Sequence, residues 1–326
     1  MDEDKRLGTL IGLAVGDALG TTLEFTNPPL RAFDPPLAGP HRAIVGGGPF
    51  GLAPGEVTDD TQMATCLYSS IRGLGRFDVG DVARRYLRWM ATAFDIGNQT
   101  SASLRSISAG VSPLEAGRDV WLQSGKRAAG NGSLMRTAPI AVLLRDGALR
   151  RSASLADSAI THHDPRCRLA CAMFNAAVAA LSAGCSPAQA AEAALSEASV
   201  SRVSLESSDA TEADQIQEAE EQLTEDLSLA AELDPMLYGR VHLLKNAGFV
   251  RVAFRLAFRE LEHAPSFEEG LVDVVNRGGD ADTNGAIAGA LLGAHFGFER
   301  IPGAWRDAVL QASVQNAYHP KVFLES

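Results

Sequence analysis

Two short acidic motifs stand near opposite ends of this 326-residue chain, Thr58-Asp59-Asp60-Thr61 and Asp280-Ala281-Asp282-Thr283-Asn284. Each follows a glycine-containing loop and precedes a run with helical spacing. Taken singly, either has an ordinary explanation, because Asp and Thr are favoured N-caps and Asp59 with Gln62 has capping-box spacing. Together they hold more carboxylates than two caps require. A fold that joins them gathers four carboxylates and two threonine hydroxyls at one spot. Such a concentration of like charge is costly unless cations neutralise it. Hard oxygen ligands in that number suit Mg²⁺, Mn²⁺ or Ca²⁺, and do not suit zinc or copper. The helix dipole opposes a cation at a helix start, so the carboxylates must outweigh it. The pattern predicts a two-metal hydrolase.

The composition agrees with a compact helical protein. Hydrophobic residues make up 46% of the chain and aromatics only 6%, and the apolar content is largely Ala, Leu and Val, which favours close helix packing. Length allows a sizeable core, read here as one domain over residues 1–326. A net charge of −11 and a sequence pI of about 5.1 disfavour nucleic acid and acidic membrane surfaces as partners. No apolar run reaches the roughly 20 residues of a membrane span. The N-terminus, Met1-Asp2-Glu3-Asp4-Lys5-Arg6, is acidic and lacks a signal-peptide layout. A cytoplasmic monomer is the expectation. Cys66, Cys167, Cys171 and Cys185 show no disulfide framework and read as reduced, buried thiols. His163, Cys167 and Cys171 recur every four residues, but no fourth zinc ligand is evident and packing is the favoured reading.

Helices account for most of the chain. Leu7 to Phe25 is apolar with helical spacing and carries Gly12, Gly16 and Gly20 four apart, a stripe that lets another helix approach closely; Asp17 within it argues against a membrane role. A Pro/Gly-rich stretch from Asn27 to Gly55 is too punctuated for regular structure. Helices are predicted over Asp60 to Arg72, Val79 to Ala93, Ser101 to Gly110, Leu155 to Ile160, Arg166 to Leu181 and Pro187 to Ser199. Others are predicted over Val241 to Leu261, Phe267 to Asn276 and Asn284 to Phe296. Ala138 to Leu144 fits strand or buried helix equally. The acidic, sparsely apolar segment 206–234 reads as an exposed helix or a mobile insertion with no catalytic role. With no alternating strand series, the fold class is all-α.

In order along the chain stand Gly16-Asp17-Ala18-Leu19-Gly20, Gly48-Pro49-Phe50-Gly51-Leu52, Thr58-Asp59-Asp60-Thr61-Gln62-Met63 and Asp95-Ile96-Gly97-Asn98. They are followed by Gly130-Asn131-Gly132-Ser133-Leu134-Met135-Arg136, Thr161-His162 and Gly278-Gly279-Asp280-Ala281-Asp282-Thr283-Asn284. This series resembles the ADP-ribosylglycohydrolase family, in its bacterial branch with the dinitrogenase-reductase-activating glycohydrolase, from about Leu7 to Phe296 apart from the acidic segment. The resemblance implies an orthogonal multi-helix bundle with two Mg²⁺ or Mn²⁺ ions in a cleft. It implies metal ligation by Thr58, Asp59 and Asp60 from the first motif and by Asp280, Asp282 and Thr283 from the second. Glu24 and Asp95 match carboxylates near the reacting ribose and are the catalytic candidates. Asn98, Asn131, Gly132, Ser133 and His162 match the ADP-ribose pocket, and Phe249 falls where relatives often have a Tyr stacked on adenine. Val57 departs from a Trp that often precedes the first motif.

Each of these has a plainer reading. Asn131 and Gly132 can form a turn needing positive φ, His162 can cap or pack, and Phe249 can be core. Glu24 can be a surface carboxylate, and Asp95 can form an Asx turn. The implied reaction is hydrolysis of the glycosidic bond between ADP-ribose and an acceptor on a modified protein, with arginine favoured. The alternatives are another adduct (serine-linked or O-acetyl-ADP-ribose), a non-catalytic ADP-ribose-binding protein, and a metal-stabilised helical protein that acts only through partners.

Overall fold

The computed structural model describes residues 2–26, 40–205, 210–230, 237–238, 241–313 and 318–325. The fold is all-α, as expected. Its helices are α1 (Glu3–Gly20), α2 (Asp59–Leu74), α3 (Val79–Met90), α4 (Asn98–Ser108), α5 (Pro113–Gln123), α6 (Ala138–Leu143) and α7 (Gly147–Thr161). They continue with α8 (Pro165–Ser182), α9 (Pro187–Ser204), α10 (Ala210–Ala230), α11 (Val250–His263), α12 (Phe267–Asn276), α13 (Ala281–Phe296) and α14 (Gly303–Gln311). The ambiguous segment starting at Ala138 is thus a short buried helix. The helices α5 and α14 are not foreseen from the sequence. Both are amphipathic and lie partly exposed, so their apolar stripes are thin.

The centre of the molecule is the antiparallel pair α1 and α13. From Gly8 to Gly20, every residue of α1 is buried, as expected of a helix apolar on all sides. The predicted partner of its glycine stripe is α13, which carries a matching stripe. Gly8 faces Gly293, Gly12 faces Gly289, Gly16 faces Gly285, and Gly20 faces Ala281. At each of these four positions on α1, an added Cβ would stand closer than 3.0 Å to a backbone atom of α13. The two backbones therefore run in contact, and the C-terminal end of α1 is held at the start of α13.

Two expectations are corrected. The helix predicted from Val241 begins only at Val250. Val241 and His242 pair with Leu237 and Tyr238 in a two-residue antiparallel ladder, and Phe249 bridges to Gly130. With Val250 N–H donating to Ala129 O at 3.0 Å, the loop pairing claims the backbone groups that a helix would need. The acidic segment is also no bare exposed helix over its described part. Ile216, Ala219, Leu223, Leu227 and Ala230 form a buried stripe on α10, which packs against α8, α9 and α11. Arg251 of α11 clamps it by donating to the buried Asp226 at 2.6 and 2.9 Å. The stripe escapes notice because small and acidic residues dilute it. Residues 206–209 and 231–234 of that segment lie outside the described residues, as do 27–39 of the Pro/Gly-rich stretch. Its remainder is irregular apart from a bridge between Gly47 and Leu52.

The helix pair makes a direct prediction. Gly16→Ala forces a methyl into the Gly285 backbone and is expected to lower stability by about 1–3 kcal/mol or more. Gly73→Ala, exposed on α2 with nothing within 4 Å of the added methyl, is expected to raise it by about 0.4–1 kcal/mol. Urea unfolding of the two variants beside the parent distinguishes them; equal midpoints would show that the helix contact is loose.

Candidate functional site

Asp17 organises the first acidic motif. It is the lone charge in the buried part of α1, and its carboxylate reaches the start of α2. It accepts from the Thr58 and Thr61 N–H groups at 3.1 and 3.2 Å and from their hydroxyls at 2.9 and 2.6 Å. These are the orphan donors of a helix N-terminus, so the cap comes from another helix. The capping box suggested by Asp59 and Gln62 does not form; Gln62 instead donates to Val57 O and accepts from Trp89 Nε1 at 2.7 Å. Asp59 and Asp60 are thereby relieved of capping. Asp59 lines a cleft, and Asp60 is fully buried.

The second motif meets the first. Thr283 Oγ1 donates to Asp60 Oδ2 at 3.4 Å, and Thr58 Oγ1, whose proton goes to Asp17, lies 3.0 Å from the same oxygen. Gly278 and Gly279, both at φ 71°, turn the chain so that Asp280 and Asp282 face the same cleft. The Glu24 segment is tied to this turn by Phe25 N–H donating to Gly279 O at 2.7 Å and Gly279 N–H donating to Thr26 O at 3.0 Å. As a result Glu24, Asp280 and Asp282 present carboxylate oxygens within 4.8 Å of one another. Asp95, in the loop before α4, lies in hydrogen-bonding reach of Asp59.

The electrostatics of this group are unfavourable as it stands. Burial, and after it the charges of Asp95, Asp280 and Asp17, push the Glu24 carboxyl up to about 8. Burial is also the first cause for Asp95 and Asp17, each raised to about 6. Asp59, Asp60 and Asp282 are raised well above the usual carboxylate range by burial and then by neighbouring acids, first Asp95, Asp17 and Asp60 respectively. Glu24 Oε2 and Asp60 Oδ1 are buried without a hydrogen-bond partner. Orphaned carboxylate oxygens beside several uncompensated acids fit a hard divalent cation, which takes oxygen ligands alone.

The opposite wall is built on glycines. The cleft, of about 390 Å³, is lined there by Asn98, Gln99, Thr100, Gly130, Asn131, Gly132, His162 and Gly248. Asn131 bridges the two walls, its Nδ2 donating to Asp280 Oδ2 at 2.7 Å. Asn131 and Gly132 do lie in a turn, closed by Leu134 N–H donating to Asn131 O at 2.8 Å, but neither is at positive φ, which corrects that part of the reading. Gly130 and Gly132 are small because the His162 ring lies over them, 3.2 and 3.0 Å from where a Cβ would stand. That ring is held by Thr161 Oγ1 at 2.8 Å. Burial, then the Arg136 charge, keeps it well below its usual pKa and so neutral. Beneath the loop, fully buried Arg136 donates to Gly132 O at 3.0 Å and to Asp157 Oδ2 at 3.1 Å, and its guanidinium lies over the Tyr86 ring.

Most of the expected site residues converge, with three exceptions. The Ser133 side chain is fully buried, accepting from Ser158 Oγ at 2.9 Å and from Cys171, so it does not reach the cleft. The Phe249 ring packs half-buried against the core under the Arg166 guanidinium, beside the cleft and not in its wall. Thr58 is buried behind Asp60. His163, Cys167 and Cys171 turn to separate partners, Glu212, Gly130 O and Ser133. The sequence reading missed Asp17, Gln99 and the Arg136–Asp157 pair as parts of the site. A charge inside a wholly apolar helix was the available signal for Asp17.

The raised carboxyl groups make stability depend on pH in a definite direction. For each, the folded state binds protons more tightly than the unfolded chain, so stability falls as pH rises from the unfolded value near 4 through the folded values of about 6 and 8. The protein stripped of cations is expected to melt several degrees higher at pH 5 than at pH 8 by calorimetry. A flat or rising profile would mean that the acids are not buried together.

The comparisons with known proteins agree with this geometry. The ADP-ribosylglycohydrolase family matches residues 1–322. The chain is 31% identical over 307 residues to the ADP-ribosyl-[dinitrogen reductase] glycohydrolase of Rhodospirillum rubrum, covering 93% of this chain and 89% of that one. It is 29% identical over 318 residues to the ADP-ribosylarginine hydrolase Tri1 of Serratia proteamaculans, covering 94% and 76%. A solved structure described as an ADP-ribosylglycohydrolase-related protein complex superposes with a TM-score of 0.73 at 30% identity, over 98% of this chain and 96% of that one. With its paired Asp/Thr motifs joined across α1, α2 and α13, the chain belongs to the ADP-ribosylglycohydrolase family and is an enzyme of that kind.

Proposed function

We propose that this enzyme hydrolyses the bond between C1″ of ADP-ribose and the guanidinium of a modified protein arginine, releasing ADP-ribose, with two Mg²⁺ or Mn²⁺ ions in the acidic cleft. The observation that carries the reading is the meeting of the two motifs at Asp60 and Thr283 beside the Glu24–Asp280–Asp282 group. Relatives named as an ADP-ribosylarginine hydrolase and an ADP-ribosyl-[dinitrogen reductase] glycohydrolase support the acceptor.

Asp59, Asp60, Asp280, Asp282 and Thr283 would hold the cations, with Thr58 bracing Asp60. When bound, such cations supply charge neutralisation and a grip on ribose hydroxyls and water. Glu24, whose oxygens fall within the Asp280–Asp282 group, would share in that neutralisation and face the positive charge that develops on the ribose as the acceptor departs. Asp95 stands outside the group but within hydrogen-bonding reach of Asp59, a place from which it would move a proton as the acceptor departs. On the other wall, the Gly130 and Asn131 N–H groups are already engaged with Gln99 Oε1 and Gly248 O. The Gly132 N–H group, which lines the cleft, makes no hydrogen bond among the described residues and would serve the diphosphate, while wholly buried Ser133 would brace the loop from behind. Neutral His162 and Asn98 would complete the pocket, with Phe249 at its margin.

Purified enzyme with Mn²⁺ is expected to release ADP-ribose from an ADP-ribosyl-arginine peptide and to stop reversibly on chelation. Asp95→Asn is expected to lower kcat by about 10²- to 10⁴-fold while retaining ADP-ribose binding. Asp282→Asn is expected to lose turnover and Mn²⁺ binding together, read by calorimetry. Undiminished turnover in chelator would remove the cations from the reading, and release from a serine-linked peptide alone would change the acceptor.

A further inference from the structure

Three exposed aromatic residues stand on the segments that carry the cleft acids. Phe25, Phe50 and Phe94 are 66%, 36% and 47% exposed, in a chain with a net charge of −11. Exposed aromatic rings packed together, as those of Phe50 and Phe94 are, mark a surface that something covers. Phe25 lines the cleft and holds φ 55°, a region where a bulky residue is an outlier. Phe50 stands at the tip of the turn closed by the Gly47–Leu52 bridge, with Gly48 and Gly51 at positive φ. That turn is anchored on the segment leading to Glu24. Thr22 Oγ1 donates to Gly46 O at 2.9 Å, and a methyl at Gly48 would collide with Thr21 O. Phe94 immediately precedes Asp95. The Phe50 and Phe94 rings meet edge to face, with centroids 5.6 Å apart and planes at 62°. The aromatic pair therefore joins the arm behind Glu24 to the arm that carries Asp95.

We propose that the Phe50–Phe94 pair selects the acceptor by flanking the guanidinium of the modified arginine at the cleft mouth. This rests on the arginine reading above. The occupant follows from charge complementarity: Phe94 adjoins Asp95, which lines the cleft together with Glu24 and Asp59, and a planar cation is drawn to carboxylates and aromatic faces together. A neutral serine side chain gains from neither. The rings thus act on binding of the acceptor, while the carboxylates carry out the bond cleavage.

The test compares the parent, Phe50→Ala/Phe94→Ala, Phe94→Tyr and Phe94→Leu on a peptide carrying ADP-ribosyl-arginine, with free ADP-ribose binding measured by calorimetry. The double variant is expected to raise KM for the arginine-linked peptide about three- to tenfold, with kcat and ADP-ribose affinity unchanged. Phe94→Tyr keeps the ring face and should match the parent, whereas Phe94→Leu should not. A parental KM in the double variant overturns the inference. So does a parallel loss of ADP-ribose affinity, or a leucine that serves as well as tyrosine. Parent enzyme that ignores the arginine-linked peptide but cleaves a serine-linked one would remove the acceptor assignment itself, a result visible before any variant is made.

Discussion

The close approach of α1 and α13 decides where everything else in this protein lies. Two glycine stripes let the backbones touch along Gly8 to Gly20 and Ala281 to Gly293, and the antiparallel sense puts the end of one helix at the start of the other. Asp17 and Glu24, at the end of α1 and just beyond it, thus come to the level of Asp280 and Asp282. No larger residue could fill the stripe without driving the helices apart. The acidic motifs would then lose their common centre. A packing contact with no polar chemistry of its own sets the geometry of the most polar part of the molecule.

That polar part works against stability. Burying several carboxylates with few cationic neighbours raises their proton affinity and leaves two oxygens without partners, a conflict that an ordinary core would not retain. The protein contains the strain locally. Asp17 is satisfied by the α2 N-terminus, Asp280 by Asn131, and one oxygen of Asp60 by Thr283. What stays unsatisfied faces the cleft group itself. Elsewhere, several buried acids among the described residues are paired with arginines, as with Arg136 and Asp157 or Arg251 and Asp226. The contrast between paired acids in the scaffold and crowded acids in the cleft separates structural from chemical use of the same residue type.

Much of this could be read along the chain, and the misses share a cause. Helix periodicity located α2, α8, α12 and α13 because their apolar faces repeat cleanly. It failed at Val241–Phe249, where Val241 and His242 pair with Leu237 and Tyr238 and Gly248 and Phe249 pair with the Gly130 loop, a contact made by residues distant in sequence. It undervalued α10, whose buried face is made partly of alanine and whose anchor is an ion pair to α11. Among site residues, those on motif positions with acidic side chains came together as expected. Ser133 did not reach the cleft, because a motif indicates which residue is present and not which way its side chain turns.

The sequence by itself determined the inventory: two acidic motifs at helix starts, a glycine stripe able to accept another helix, and glycine loops between. Local propensity and composition act over a few residues and are legible there. Only the tertiary structure decided the pairings. Asp17 became the cap of another helix, Gly130 and Gly132 yielded space to an imidazole ring, and Phe50 met Phe94 next to Asp95. Each of these depends on atoms brought close by packing, and contact distances across the fold are not encoded in the spacing of residues along one strand of chain.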